Sequence, residues 1–142
     1  MEAKKESIIN NYPNVISYEC TKKSLEQMEK TICKIFIKNI QGTGFFCKIP
    51  FPDKNNMIPV FITNSHIIDN NSLYNENAII KIDIKEETII KEMNLNNRMK
   101  YINEDYDITI IEIKEKDNIK NYLELDDIII DDIINNKYKI KE

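Results

Sequence analysis

His66 is the only histidine among 142 residues, and it closes the run Pro59-Val60-Phe61-Ile62-Thr63-Asn64-Ser65-His66. Histidine titrates near neutral pH, so the side chain can take a proton from a hydroxyl and later return it. A carboxylate that accepts from the other ring nitrogen fixes the tautomer and steadies the charged form. Asp107 opens an isoleucine-rich run, Asp107-Ile108-Thr109-Ile110-Ile111, 41 residues after His66. Spacing alone leaves both with ordinary alternatives, a structural histidine at a strand end and an acid facing water at a strand start. Glu104 and Asp105 take that solvated reading by default.

Gly42 and Gly44 are the only glycines. One is expected to serve a turn and the other a close approach of neighbouring backbones. They make no phosphate loop, because the Gly-Lys-Ser/Thr ending and a following helix are missing. Ser65 lies beside the histidine, but neighbouring strand residues point to opposite faces, so it is expected not to reach the ring.

The elements that position these residues read mainly as strands. Residues 1–30 form an irregular tail and a short helix, because Ser24-Leu25-Glu26-Gln27 has the spacing of a capping box and Leu25, Met28 and Ile32 share one face. From Thr31 the period shortens to two, with Cys33, Ile35 and Ile37 alternating against Lys34, Phe36 and Lys38. Asn39 to Gly42 turns the chain into a strand from Thr43 to Ile49. Pro50 to Asn56 is a loop of turn formers, Pro59 to Asn64 the next strand, and Asp69 to Ser72 a loop. Ala78 to Ile84 and Thr88 to Met93 alternate like a hairpin joined at Lys85-Glu86-Glu87, and Asp107 to Ile113 is a sixth strand. Six short strands argue for an all-β fold, a six-stranded closed antiparallel barrel over residues 31–116. Residues 117–142 read as an acidic linker that holds Ile128-Ile129-Ile130 and ends near Tyr138-Lys139-Ile140.

Three motifs stand in order: Gly42-Thr43-Gly44-Phe45-Phe46, Thr63-Asn64-Ser65-His66-Ile67, and Asp107-Ile108-Thr109-Ile110-Ile111. Together they resemble the first β-barrel of the trypsin-like (chymotrypsin-fold) serine peptidases, over roughly Thr31 to Leu125. The resemblance implies catalytic roles for His66 as general base and Asp107 as its orienting partner. It also implies a Gly-x-Ser-Gly turn in a second barrel, carrying the nucleophile and the oxyanion donors. No Ser, Cys or Gly follows Asp107. Loss of the attacking group forfeits on the order of 10⁶ in turnover, and loss of oxyanion donors about another 10² to 10³. The chain alone is therefore expected to be an inactive N-terminal half, truncated or completed by another polypeptide. The alternative is a non-catalytic protein-binding module.

Composition narrows the partners. A net charge of −4 with lysines interspersed among acids gives no basic field for nucleic acid. Lys4, Lys5, Lys22 and Lys23 read as solvated charge. No apolar run approaches the roughly 18 residues of a membrane span, and Met1 to Glu6 has no apolar stretch that could serve as a secretion signal, so none is expected. Cys20, Cys33 and Cys47 are an odd set, expected to be reduced thiols. Secreted trypsins often carry a disulfide cysteine directly after the histidine, where Ile67 stands here. The expected setting is intracellular, in the cytoplasm, with no cofactor and a polypeptide substrate or second-barrel polypeptide as partner.

Overall fold

The computed structural model describes residues 15–125. Helix α1 (Tyr18–Thr31) starts about two turns earlier than the Ser24 box suggests. Ser17 is the N-cap and accepts from the Cys20 amide at 3.2 Å, and with no glycine or proline between Tyr18 and Lys23 nothing delays propagation. The shared face of Leu25 and Met28 stays half exposed, at 55% and 51%.

Seven antiparallel strands follow, one more than the sequence suggests: β1 (Ile32–Ile37), β2 (Ile40–Pro50), β3 (Met57–Thr63), β4 (Ile79–Ile84), β5 (Lys91–Asn94), β6 (Lys100–Asn103) and β7 (Ile108–Glu112). A four-residue helix α2 (Asn70–Leu73) stands where a loop was expected, capped by Asp69, which accepts from the Ser72 amide at 2.8 Å. The β1–β2 turn falls at Lys38 and Asn39, with Lys38 at φ 52°, so Gly42 is not in the turn but in β2, opposite Ile35. The β4–β5 hairpin exists with a longer connection than Lys85-Glu86-Glu87, because Ile89 and Ile90 face solvent, at 76% and 51% exposure, and pairing resumes only at Lys91.

The order across the sheet is β5-β4-β1-β2-β3-β7-β6. Laid flat, seven strands at about 4.8 Å put the outer two about 29 Å apart. The outer pair are consecutive in the chain, however, and the path from Asn94 to Lys100 reaches at most about 21 Å. The sheet therefore curls into a half-barrel around one core, with Phe46, Phe61, Ile35, Ile80 and Ile111 buried at its centre. Among the described residues no ladder joins β5 to β6. Arg98, in the connection between them, links β5 to β7 instead: its Nε donates to the Asn94 carbonyl at 2.7 Å and its Nη1 to the Glu112 carbonyl at 3.0 Å.

Part of the outward face of β2, β3, β7 and β6 is apolar as well. The register aligns Phe45, Ile62, Ile110 and Tyr101 across four strands. Beside that row, Ile49, Phe51, Ile58, Val60 and Met99 help line a shallow groove.

Residues 117–125, the start of the expected linker, pack on the sheet. Leu123 donates its amide to the Phe46 carbonyl at 2.8 Å, Tyr122 meets Phe46 edge-on, and Asp117 pairs with Arg98. The rest of that segment, including Ile128 to Ile130 and Tyr138 to Ile140, lies outside the described residues.

Candidate active site

His66 does not end a strand. β3 stops at Thr63, and the Ile67 and Ile68 amides both donate back to the Asn64 carbonyl, at 3.1 and 3.2 Å, which bends residues 64–68 into a single turn. Two ties hold that turn. Ile68 is buried in the core, and the buried Thr109 hydroxyl of β7 donates to the Ile68 carbonyl at 2.9 Å. Gly42 supplies the third wall: a Cβ there lies 2.7 Å from Ile67 Cγ2, so the turn needs a glycine-sized neighbour. Gly44 meets a harder limit, because its Cβ falls 2.0 Å from Cζ of Phe61, itself fully buried. Both glycines thus serve close approach, and neither has a positive φ.

Asp107 comes from the connection between β6 and β7. Its amide donates to the Glu104 carbonyl at 3.2 Å, and it holds φ 52°, a left-handed conformation that Asp tolerates better than most residues. Register then does the rest: Thr63 pairs with Thr109, so the residue just before β7 faces the turn just after β3.

The result is a tight contact across 41 residues of sequence. His66 Nδ1 lies 2.6 Å from Asp107 Oδ2. The His66 amide donates to Oδ1 at 2.9 Å, and this is the largest influence holding the Asp107 carboxyl below its usual range; partial desolvation opposes it, while the His66 ring and the Ser65 hydroxyl add to the lowering. An ionised carboxylate only accepts, so Nδ1 carries the proton in this contact, and among the described residues Nε2 makes no hydrogen bond. The histidine side chain is 65% exposed and the aspartate 43%, so a hydroxyl from outside can approach.

Two further residues touch the carboxylate, and the sequence reading missed both. Ser65 Oγ donates to Oδ1 at 3.0 Å. Asn64 Nδ2 lies 3.2 Å from Oδ2 and 3.1 Å from the Asp107 carbonyl. Ser65 indeed turns its hydroxyl to the aspartate and not to the imidazole. The strand alternation used to place it does not apply, because residues 64–68 are a turn. The signal that could have found it is the polar Asn-Ser pair placed directly between a strand and the histidine.

Cys33 and Cys47 are buried free thiols, and Cys20 is an exposed one. Burial pushes the Cys33 thiol up to about 12 and the Cys47 thiol up to about 11, so neither is a ready nucleophile. Among the described residues, no helix is long and apolar enough to cross a membrane.

What the fold and site define is an exposed histidine–aspartate dyad on a curled, all-antiparallel β domain. Comparison with protein-family models, curated proteins and solved structures gives no match.

Proposed function

We propose that the chain is the base-carrying half of a trypsin-like serine endopeptidase, the first barrel of a chymotrypsin-type fold. The observation that carries the reading is the 2.6 Å contact between His66 Nδ1 and Asp107 Oδ2, with no partner on Nε2 among the described residues. In this role Nε2 takes the proton of a serine hydroxyl as the oxygen attacks a peptide carbonyl. The imidazolium, steadied by Asp107, then hands the proton to the leaving amine. Asp107 stays ionised throughout.

On this reading the serine and the oxyanion donors sit on a second barrel, since no Ser, Cys or Gly follows Asp107 in the sequence. Supporting this is the outer groove, lined mainly by apolar residues such as Phe51, Tyr101 and Ile110 with Lys100 and Glu112 beside them, a surface of the kind that another body can cover. A stand-alone binding module, the other reading, fits a charged flank better than this apolar one. Free thiols suit a reducing compartment, and polypeptides are the substrate class.

Fluorophosphonate labelling tests the proposal, because the reagent modifies only a serine activated by a working base. Alone, the chain stays unlabelled. Added to an extract of its own cells depleted of the endogenous protein, the wild-type chain is expected to switch on labelling of a serine-bearing polypeptide, and His66→Gln is not. An identical labelling pattern with wild type, His66→Gln and no addition sinks the proposal.

A further inference from the structure

Asp107 offers about four acceptor positions on its two oxygens. Three consecutive residues fill them. Oδ1 takes the His66 amide at 2.9 Å and the Ser65 hydroxyl at 3.0 Å; Oδ2 takes His66 Nδ1 at 2.6 Å and Asn64 Nδ2 at 3.2 Å. Ser65 is 7% exposed, so its hydroxyl proton has no comparable alternative in water. Asn64 also holds the Asp107 main chain, through the carbonyl at 3.1 Å, and so fixes the left-handed residue from both ends.

We infer that Ser65 is a positioning residue which, with Asn64, saturates the Asp107 carboxylate from within the histidine's own turn, so that the base is oriented before any nucleophile-bearing body arrives. The inference rests on reading His66 as a base, but its physics is independent of peptidase action. With one oxygen pinned by two donors of the turn, the carboxylate plane cannot rotate, and the other oxygen is presented to Nδ1. Removing the Ser65 hydroxyl frees Oδ1 on one side and lets the carboxylate swing toward water. The imidazole then loses its preference between tautomers. A hydroxyl in a merely structural role leaves that preference unchanged.

His66 is the sole histidine, so two readouts are free of overlap. The first is the ¹⁵N spectrum of histidine-labelled full-length chain above neutral pH. The second is the rate at which diethyl pyrocarbonate carbethoxylates the imidazole, read from the absorbance of the N-carbethoxyimidazole product: the Nε2 lone pair attacks a carbonyl carbon and forms the N–C bond, the C–O bond to ethyl carbonate breaks, and the ethyl carbonate takes up the Nδ1 proton and splits into carbon dioxide and ethanol. Wild type is expected to show the Nδ1–H tautomer. Ser65→Ala is expected to shift the tautomer ratio on the order of tenfold, the size of one charge-assisted hydrogen bond, and to slow carbethoxylation. Ser65→Thr, which keeps the hydroxyl, is expected to restore both. A Ser65→Ala chain with wild-type tautomer ratio and wild-type rate overturns the inference, as does a Ser65→Thr chain that behaves like Ser65→Ala. If Ser65→Ala does not fold, the same two measurements on Asn64→Ala decide, with unchanged values overturning it. None of these readings needs a partner serine, so failure of fluorophosphonate labelling leaves this result standing, and the reverse also holds.

Discussion

Under the proposed peptidase reading, Asp107→Asn is expected to lower turnover of the completed enzyme by about 10⁴-fold, while the unfolding midpoint of the chain stays near that of wild type. The direction follows from which oxygen is pinned. Oδ1 accepts from the His66 amide and from Ser65, so the amide oxygen of the asparagine takes that place and its NH₂ faces Nδ1. Nδ1 then has to accept, the ring proton moves to Nε2, and the nitrogen that meets the serine hydroxyl has no lone pair to offer. The side chain is 43% exposed and contributes no core packing, which is why the fold tolerates the change. Turnover by active-site-titrated enzyme, set beside a urea melt, checks both halves. Unchanged turnover removes Asp107 from the machinery.

The second large effect concerns the fold. Arg98 and Asp117 form a bidentate pair at 2.5 and 2.6 Å, with side chains only 1% and 8% exposed. Asp117 Oδ2 also accepts from the Lys114 amide at 2.7 Å. Removing either partner strands a buried charge, so Arg98→Met or Asp117→Asn is expected to cost about 3–5 kcal/mol. That is a large part of the roughly 5–15 kcal/mol by which domains are stable, and Arg98 also spans the gap between β5 and β7 through the Asn94 and Glu112 carbonyls. For Asp117, burial works against the charge, but the Arg98 hydrogen bond, the Lys114 amide and the charges of Arg98 and Lys116 together hold the carboxyl below its ordinary range. A depressed folded pKa means that the stabilisation is complete above the ordinary Asp value of about 3.9 and is withdrawn as pH falls through the folded value. Urea melts from neutral pH downward should therefore show wild type and Asp117→Asn converging in acid. A gap that stays constant with pH assigns the stability to something other than this pair.

How much of this was legible in the chain depends on whether local pattern or distant partner decides each residue. Cys33, Ile35 and Ile37 are buried as their alternation requires, and a strand follows Asp107 as its isoleucines suggest. β6 escaped because Asn94 to Asn103 is rich in asparagine and the strand is a four-residue edge; its pairing with β7 comes from the register Lys100 opposite Ile111. Asn94 to Asn97 is a side-chain-supported turn, with the Asn96 amide on Asn94 Oδ1 at 2.7 Å and Asn97 at φ 56°. Arg98 carried no signal at all in sequence, since only the buried acid that it meets distinguishes it from a solvated arginine. His66 and Asp107 stood out because a lone histidine and an acid before an apolar run are rare types in such places. Asn64 and Ser65 did not, because their part depends on the chain bending after Thr63.

The contact between Gly42 and Ile67 ties the first two of the three motifs into one steric unit. A lineage that acquires a methyl group at position 42 has to trim position 67 in compensation, for instance to valine or alanine, or else displace the base by the width of that methyl. Relatives of this chain should accordingly show these two sites drifting as a correlated pair, with bulk traded from one to the other, while Gly44 stays fixed against the Phe61 ring whatever its neighbours do.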